Sequence, residues 1–111
     1  MAFYAKLTED NMVLSVLRFD EEDENTAVQS LTEITNWPLW KKADITNQLR
    51  AIYPSIGYHY DSVNDIFHEP QPYPSWTLNI STGKFEPPTS KPQSDNVEWN
   101  ESTLSWDIIT Q

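Results

Sequence analysis

The chain has 111 residues, with 17 acidic side chains against 7 basic ones, a formal charge of −10 and no cysteine. That length holds one domain, or one small core with an extended tail, and buries only about two thirds of the surface its unfolded chain exposes. The charge repels nucleic-acid phosphates and anionic membranes, and the missing cysteines exclude disulfides and thiolate metal sites.

The first predicted element is a hairpin over residues 3–19. Phe3, Ala5 and Leu7 alternate on one strand face, and Thr8, Glu9, Asp10 and Asn11 supply turn chemistry. The return strand carries Val13, Leu14, Val16, Leu17 and Phe19, and this near-continuous apolarity predicts a central strand buried on both faces. Five consecutive acids, residues 20–24, repel one another and predict an exposed connection. A short helix is expected over residues 26–35. Thr26 and Gln29 stand at capping-box spacing, Ala27, Leu31 and Ile34 share one side, and Asn36 with Trp37-Pro38 ends the run. From Trp40 to Tyr53 the pattern is ambiguous, since only Ile45, Leu49 and Ile52 suggest a second helical stripe.

No apolar run approaches the roughly 18–20 residues that span a bilayer. The opening residues are too polar and too short for a signal peptide, so cytoplasmic synthesis is expected.

After Pro54 the character changes. Six of the eight prolines stand at 70, 72, 74, 87, 88 and 92, predicting extended connectors. Between them lies an internal repeat. Tyr58, Tyr60, Asp61 and Phe67 form the first copy. Trp76, Leu78, Asn79 and Phe85 form the second, and Val97, Trp99, Asn100 and Trp106 the third. The copies start 18 residues apart (58 to 76) and then 21 apart (76 to 97). In each, two large apolar residues share a strand face, and an Asp or Asn bonds its own downstream backbone to start a turn. An aromatic residue then returns as cross-strand partner. Two segments follow: residues 1–53, a strand pair with a short helical segment, and residues 54–111, three aromatic hairpins on proline-rich connectors. The fold class is mostly β with one or two short helices.

Chemistry is sparse. His59 and His68 are the only histidines, without standard metal-ligand spacing, and no phosphate loop or activated nucleophile is recognisable. Neither an enzyme, a cofactor nor a metal is expected. Fourteen aromatic rings (five Trp, five Tyr, four Phe) are many for so small a core. Some are therefore assigned to an interface: Tyr58, Tyr60, Phe67, Tyr73, Trp76, Phe85, Trp99 and Trp106. Trp99 and Trp106 are expected as its anchors, rimmed by Glu98, Glu101 and Asp107. An indole strip of Trp76, Trp99 and Trp106 could instead stack on sugar rings, and the segment from Pro70 to Trp76 could serve as a polyproline ligand.

The run Gly57-Tyr58-His59-Tyr60-Asp61, with Phe67, leads into Pro70-Gln71-Pro72-Tyr73-Pro74-Ser75-Trp76. Together with Leu78, Phe85 and Trp99-Asn100-Glu101 up to Trp106, it resembles a group of small virion proteins of tailed bacteriophages, especially those of marine cyanobacteria. The resemblance covers about residues 54–106 well and the first twenty loosely. It implies a structural or accessory protein without assigned chemistry, made in the bacterial cytoplasm and located in the virion, on the head or the tail and fibre apparatus. Expected partners are other virion proteins, including copies of itself, with no nucleic acid, no membrane and a host glycan as the less favoured choice. A carbohydrate-binding tail module and a fibre-assembly chaperone are the competing readings.

Overall fold

The computed structural model describes residues 2–93 and 96–109. Along these run β1 (Phe3–Leu7), β2 (Val13–Arg18), α1 (Glu24–Thr35), β3 (Trp40–Ala43), β4 (His59–Asp61), β5 (Ile66–His68), β6 (Thr77–Asn79), β7 (Lys84–Glu86), β8 (Val97–Asn100) and β9 (Ser105–Ile108). The fold is predominantly β with one short helix, arranged as one three-stranded and three two-stranded antiparallel sheets.

The N-terminal sheet has the order β2-β1-β3. The centre is therefore β1, and the apolar β2 is not the central strand its composition suggested. β3 pairs with β1 on the side away from β2, which leaves Leu14 42% exposed. Alternation along β1 feeds two cores. Ala5 and Leu7 join Val13, Ala43, Tyr60 and Phe67 on one face, whereas Ala2 and Tyr4 meet Ala27, Leu31 and Trp40 beneath the helix on the other. Burial pushes the Tyr4 phenol up to about 12, with the Glu24 charge adding to it, and its hydroxyl donates to the Glu21 carbonyl.

The helix begins two residues before its expected start, because its cap lies inside the acidic block. Asp23 holds the extended backbone of an N-cap, and its carboxylate accepts the Thr26 amide at 3.0 Å and hydroxyl at 2.6 Å. Glu24 then sits in the first turn, where a negative charge suits the helix dipole. Residues 20–24 are thus not merely an exposed connection. The other end closes on Asn36, left-handed at φ 56°, whose N–H donates to the Thr32 carbonyl. Replacing Asp23 with alanine is expected to lower Tm by a few degrees and reduce the 222 nm ellipticity, measured by thermal circular dichroism.

The ambiguous stretch resolves into β3 followed by irregular chain, so there is no second helix among the described residues. Asn47, Arg50 and Ala51 all have positive φ, which no α-helix accommodates. The Asn47 side chain accepts the Tyr53 amide, and Ile52 and Tyr53 drop onto the sheet while Ile45 stays 60% exposed.

The three repeat units are three hairpins. Their paired apolar positions face one another directly: Tyr60 with Phe67, Leu78 with Phe85, Trp99 with Trp106. Asp61 accepts the amides of Val63 and Asn64, Asn79 that of Ser81, and Asn100 those of Ser102 and Thr103. Four positions after each of these, the backbone turns left-handed, at Asp65, Gly83 and Leu104. One turn geometry thus serves three different sequences.

The first hairpin is joined to the N-terminal sheet. Val13 donates to the Tyr58 carbonyl, Gly57 to the Val13 carbonyl and Tyr60 to the Asn11 carbonyl. The second hangs from the first by its turn, where Glu69 donates to the Gly83 carbonyl and the Glu69 carboxylate accepts the Phe85 amide. His68 meets the Phe85 ring edge-on at 5.5 Å. Neither N-terminal core includes a residue of the third hairpin. The chain measures 55 × 26 × 25 Å.

Candidate functional site

The third hairpin builds its interior from rings. Trp99 and Trp106, opposite one another on β8 and β9, meet edge to face with centroids 5.2 Å apart. Trp76 comes from the connector before β6 and packs against both, at 5.7 Å and 6.1 Å. Tyr73 closes the group, 5.5 Å from Trp76 and 6.3 Å from Trp99. The three indoles meet edge-on and Tyr73 is tilted against them, and edge-on contacts between aromatic rings add about 0.5–1.5 kcal/mol per pair beyond burial.

Hydrogen bonds fix the rings in place. Trp99 donates its indole N–H to Glu101 at 2.8 Å, and the same carboxylate accepts the Ser75 hydroxyl at 2.7 Å and amide at 3.1 Å. The Trp99 bond, followed by those from Ser75, holds the Glu101 carboxyl below its ordinary range. Glu101 is therefore an internal clamp, joining β8 to the Pro-rich connector, and not part of a polar rim. Glu98 and Asp107 stay exposed, and Asp107 accepts the Asn100 side-chain amide. Trp106 donates to the Thr89 carbonyl at 2.8 Å, and Thr89 in turn donates to the Leu104 carbonyl. Gln71 bonds the carbonyls of Pro74 and Trp76 and stiffens the approach to the cluster.

Trp76 stands apart from the other two indoles. Its Nε1 is shielded from solvent and has no hydrogen-bond partner among the described residues. A buried donor left unmade costs about 1–3 kcal/mol, which offsets part of what the indole gains by packing against Tyr73, Trp99 and Trp106. Trp76 also forms one wall of a cleft of about 320 Å³, completed by Trp106, Pro87, Glu86, Ser90 and Lys91. The Lys91 ammonium lies 5.8 Å from the centre of a Trp106 ring.

The residues singled out from sequence thus separate into groups. Tyr73, Trp76, Trp99 and Trp106 come together, with Trp99 only 9% exposed. Phe67 and Tyr60 are buried in the N-terminal core, with Tyr58 packed against it, and Phe85 is half-buried at the joint between the first two hairpins. His59 and His68 stack across β4 and β5 at 5.6 Å, and no group of three or more potential metal ligands occurs among the described residues.

Sequence reasoning missed a second cluster. The Arg50 guanidinium grips both Glu24 oxygens at 2.9 and 3.0 Å, Asp65 at 2.7 Å and the Lys42 carbonyl at 2.9 Å. It joins helix, third strand and first hairpin turn across separations of 26 and 15 residues, which no local motif announces. Lys91 was likewise overlooked, because an isolated lysine in a proline-rich connector carries no pattern. No family model matches the chain, and neither does any curated protein or solved structure.

Proposed function

We propose that this chain is a non-enzymatic structural component of a bacteriophage particle, held on the head or the tail and fibre apparatus through its third hairpin. The virion setting comes from the sequence resemblance of residues 54–106. The observation that carries the attachment is the surface left over once the ring cluster is complete. Tyr73, Leu104, Ile108 and Ile109 remain 37%, 47%, 73% and 44% exposed. Leu104, Ile108 and Ile109 belong to or directly follow a hairpin whose own interior is already packed, and Tyr73 borders it from the connector, so covering them favours association. Rigid rings and proline connectors reduce the ordering entropy lost on docking. The acidic surface directs the hairpin toward a basic patch on another virion protein and away from DNA.

Mass spectrometry of washed particles tests the reading. The protein is expected to remain with the particle, and the double variant Leu104→Ser, Ile108→Asp is expected to keep its melting temperature while dropping out of particles. Absence of the unaltered protein from washed particles would make it an assembly factor, and undiminished incorporation of the variant would move the attachment elsewhere.

A further inference from the structure

We propose that the cleft between the second and third hairpins is a saccharide site, taking one neutral pyranose ring against Trp106 and Trp76. The proposal rests on the cleft's own construction, independently of the virion reading. Its volume, about 320 Å³, falls at the small end of ligand sites, which are concave and preformed with a few convergent polar groups. Two indoles form the apolar walls, and a carboxylate, a hydroxyl and an ammonium surround them: Glu86, Ser90 and Lys91. That combination matches a sugar, which has a C–H face for the electron-rich side of an indole and hydroxyls around its edge.

The walls are fixed before any ligand arrives. Trp106 is held by its bond to the Thr89 carbonyl and by its contact with Trp99. Glu86 is oriented by the Asn79 side-chain amide, which donates to one of its oxygens at 3.1 Å, leaving the other for a sugar hydroxyl. Lys91, above the Trp106 ring, can donate to a hydroxyl or ring oxygen. The orphaned N–H of Trp76 adds a separate argument. Phenylalanine would avoid the unsatisfied donor, whereas tryptophan gives the cleft a larger ring surface in addition to its contacts with Tyr73, Trp99 and Trp106.

The charge selects among sugars. The cleft is lined by one lysine and one glutamate and the whole chain carries −10, so a neutral pyranose is favoured over a uronic or sialic acid. A proline-rich peptide is the less fitting occupant. One wall is already the chain's own Pro87, and half of the lining residues are polar or charged.

The test is a titration of the full chain with methyl glycosides of glucose, galactose, mannose and N-acetylglucosamine, followed by ¹H–¹⁵N spectra. At least one is expected to shift the Trp106 indole and the Ser90 and Lys91 amide signals, saturating in the millimolar range. Glu86→Gln and Lys91→Met should each weaken that binding at least about fivefold without moving Tm, since a charged hydrogen bond is lost at an exposed position. Trp76→Phe should weaken it as well, with Tm measured alongside so that lost binding is separated from lost folding. The proposal is overturned if no glycoside moves these signals, if the shifts persist undiminished in Glu86→Gln and Lys91→Met, or if only a proline-rich peptide saturates them.

Discussion

Replacing Arg50 with methionine is expected to destabilise the fold by about 2–3 kcal/mol. Breaking a buried ion pair by removing one partner costs roughly 3–5 kcal/mol, because the other charge is left stranded. The figure here is smaller because the Glu24 and Asp65 side chains retain 29% and 58% exposure, while that of Arg50 keeps 9%. Methionine preserves much of the stem's packing, so the loss reports the guanidinium and its bonds. It should appear as a lower urea midpoint with unchanged slope.

The same contact sets an acid response. Burial is the largest influence on Glu24 and opposes its charged form, but the Arg50 hydrogen bonds, the Lys42 amide and the Arg50 charge together outweigh it and hold the carboxyl below its ordinary range. Asp65 is balanced in the same way, with Tyr60 as a second donor. A carboxyl depressed in the folded state contributes stability above its unfolded pKa, roughly 4, and loses it as pH falls through the folded value. The unaltered protein should therefore lose stability between about pH 5 and pH 2, and Arg50→Met should flatten part of that slope. Equal slopes for both proteins in urea titrations at several pH values would show that Arg50 does not control these carboxyls.

What could be read beforehand follows the range of the interactions. The hairpin repeat was legible because each unit is local: an Asx turn, a fixed offset and a cross-strand ring lie within ten residues, as from Tyr58 to Phe67. The sheet order was not. β2 looked central from composition, yet β3 paired with the other edge of β1, a choice made by the long-range burial of Trp40 and Ala43. The helix start moved because two caps were on offer, and Asp23, with a carboxylate that reaches Thr26, outcompeted the Thr26–Gln29 box. In the ring cluster, the identities of Trp76, Trp99 and Trp106 were visible. That Glu101 would clamp them, and that Lys91 and Glu86 would complete a cleft beside them, depended on how the connectors fold back.

Gly83 separates two demands that one turn position can make. Adding a methyl group there is expected to cost about 3 kcal/mol, combining a left-handed backbone, φ +70°, with overpacking. A Cβ would lie 2.5 Å from the Ile52 Cγ2 and 2.5 Å from the Phe67 carbonyl oxygen, at the point where the second hairpin rests on the first. Backbone conformation alone is not the reason for glycine. Asp65 and Leu104 occupy the same position of their own turns at φ 54° and 52°, so this turn accepts side chains where nothing presses on it. Asparagine, which tolerates left-handed angles better than alanine, should therefore fail to rescue the position, since its Cβ meets the same two atoms. Urea unfolding of Gly83→Ala, Gly83→Asn and Leu104→Gly decides between the two demands. The first two are expected to be similarly destabilised and the third to change by less than about 1 kcal/mol. Recovery of most of the loss in Gly83→Asn would instead make backbone strain the cause, and the close seating of the second hairpin on the first would carry little of the fold's stability.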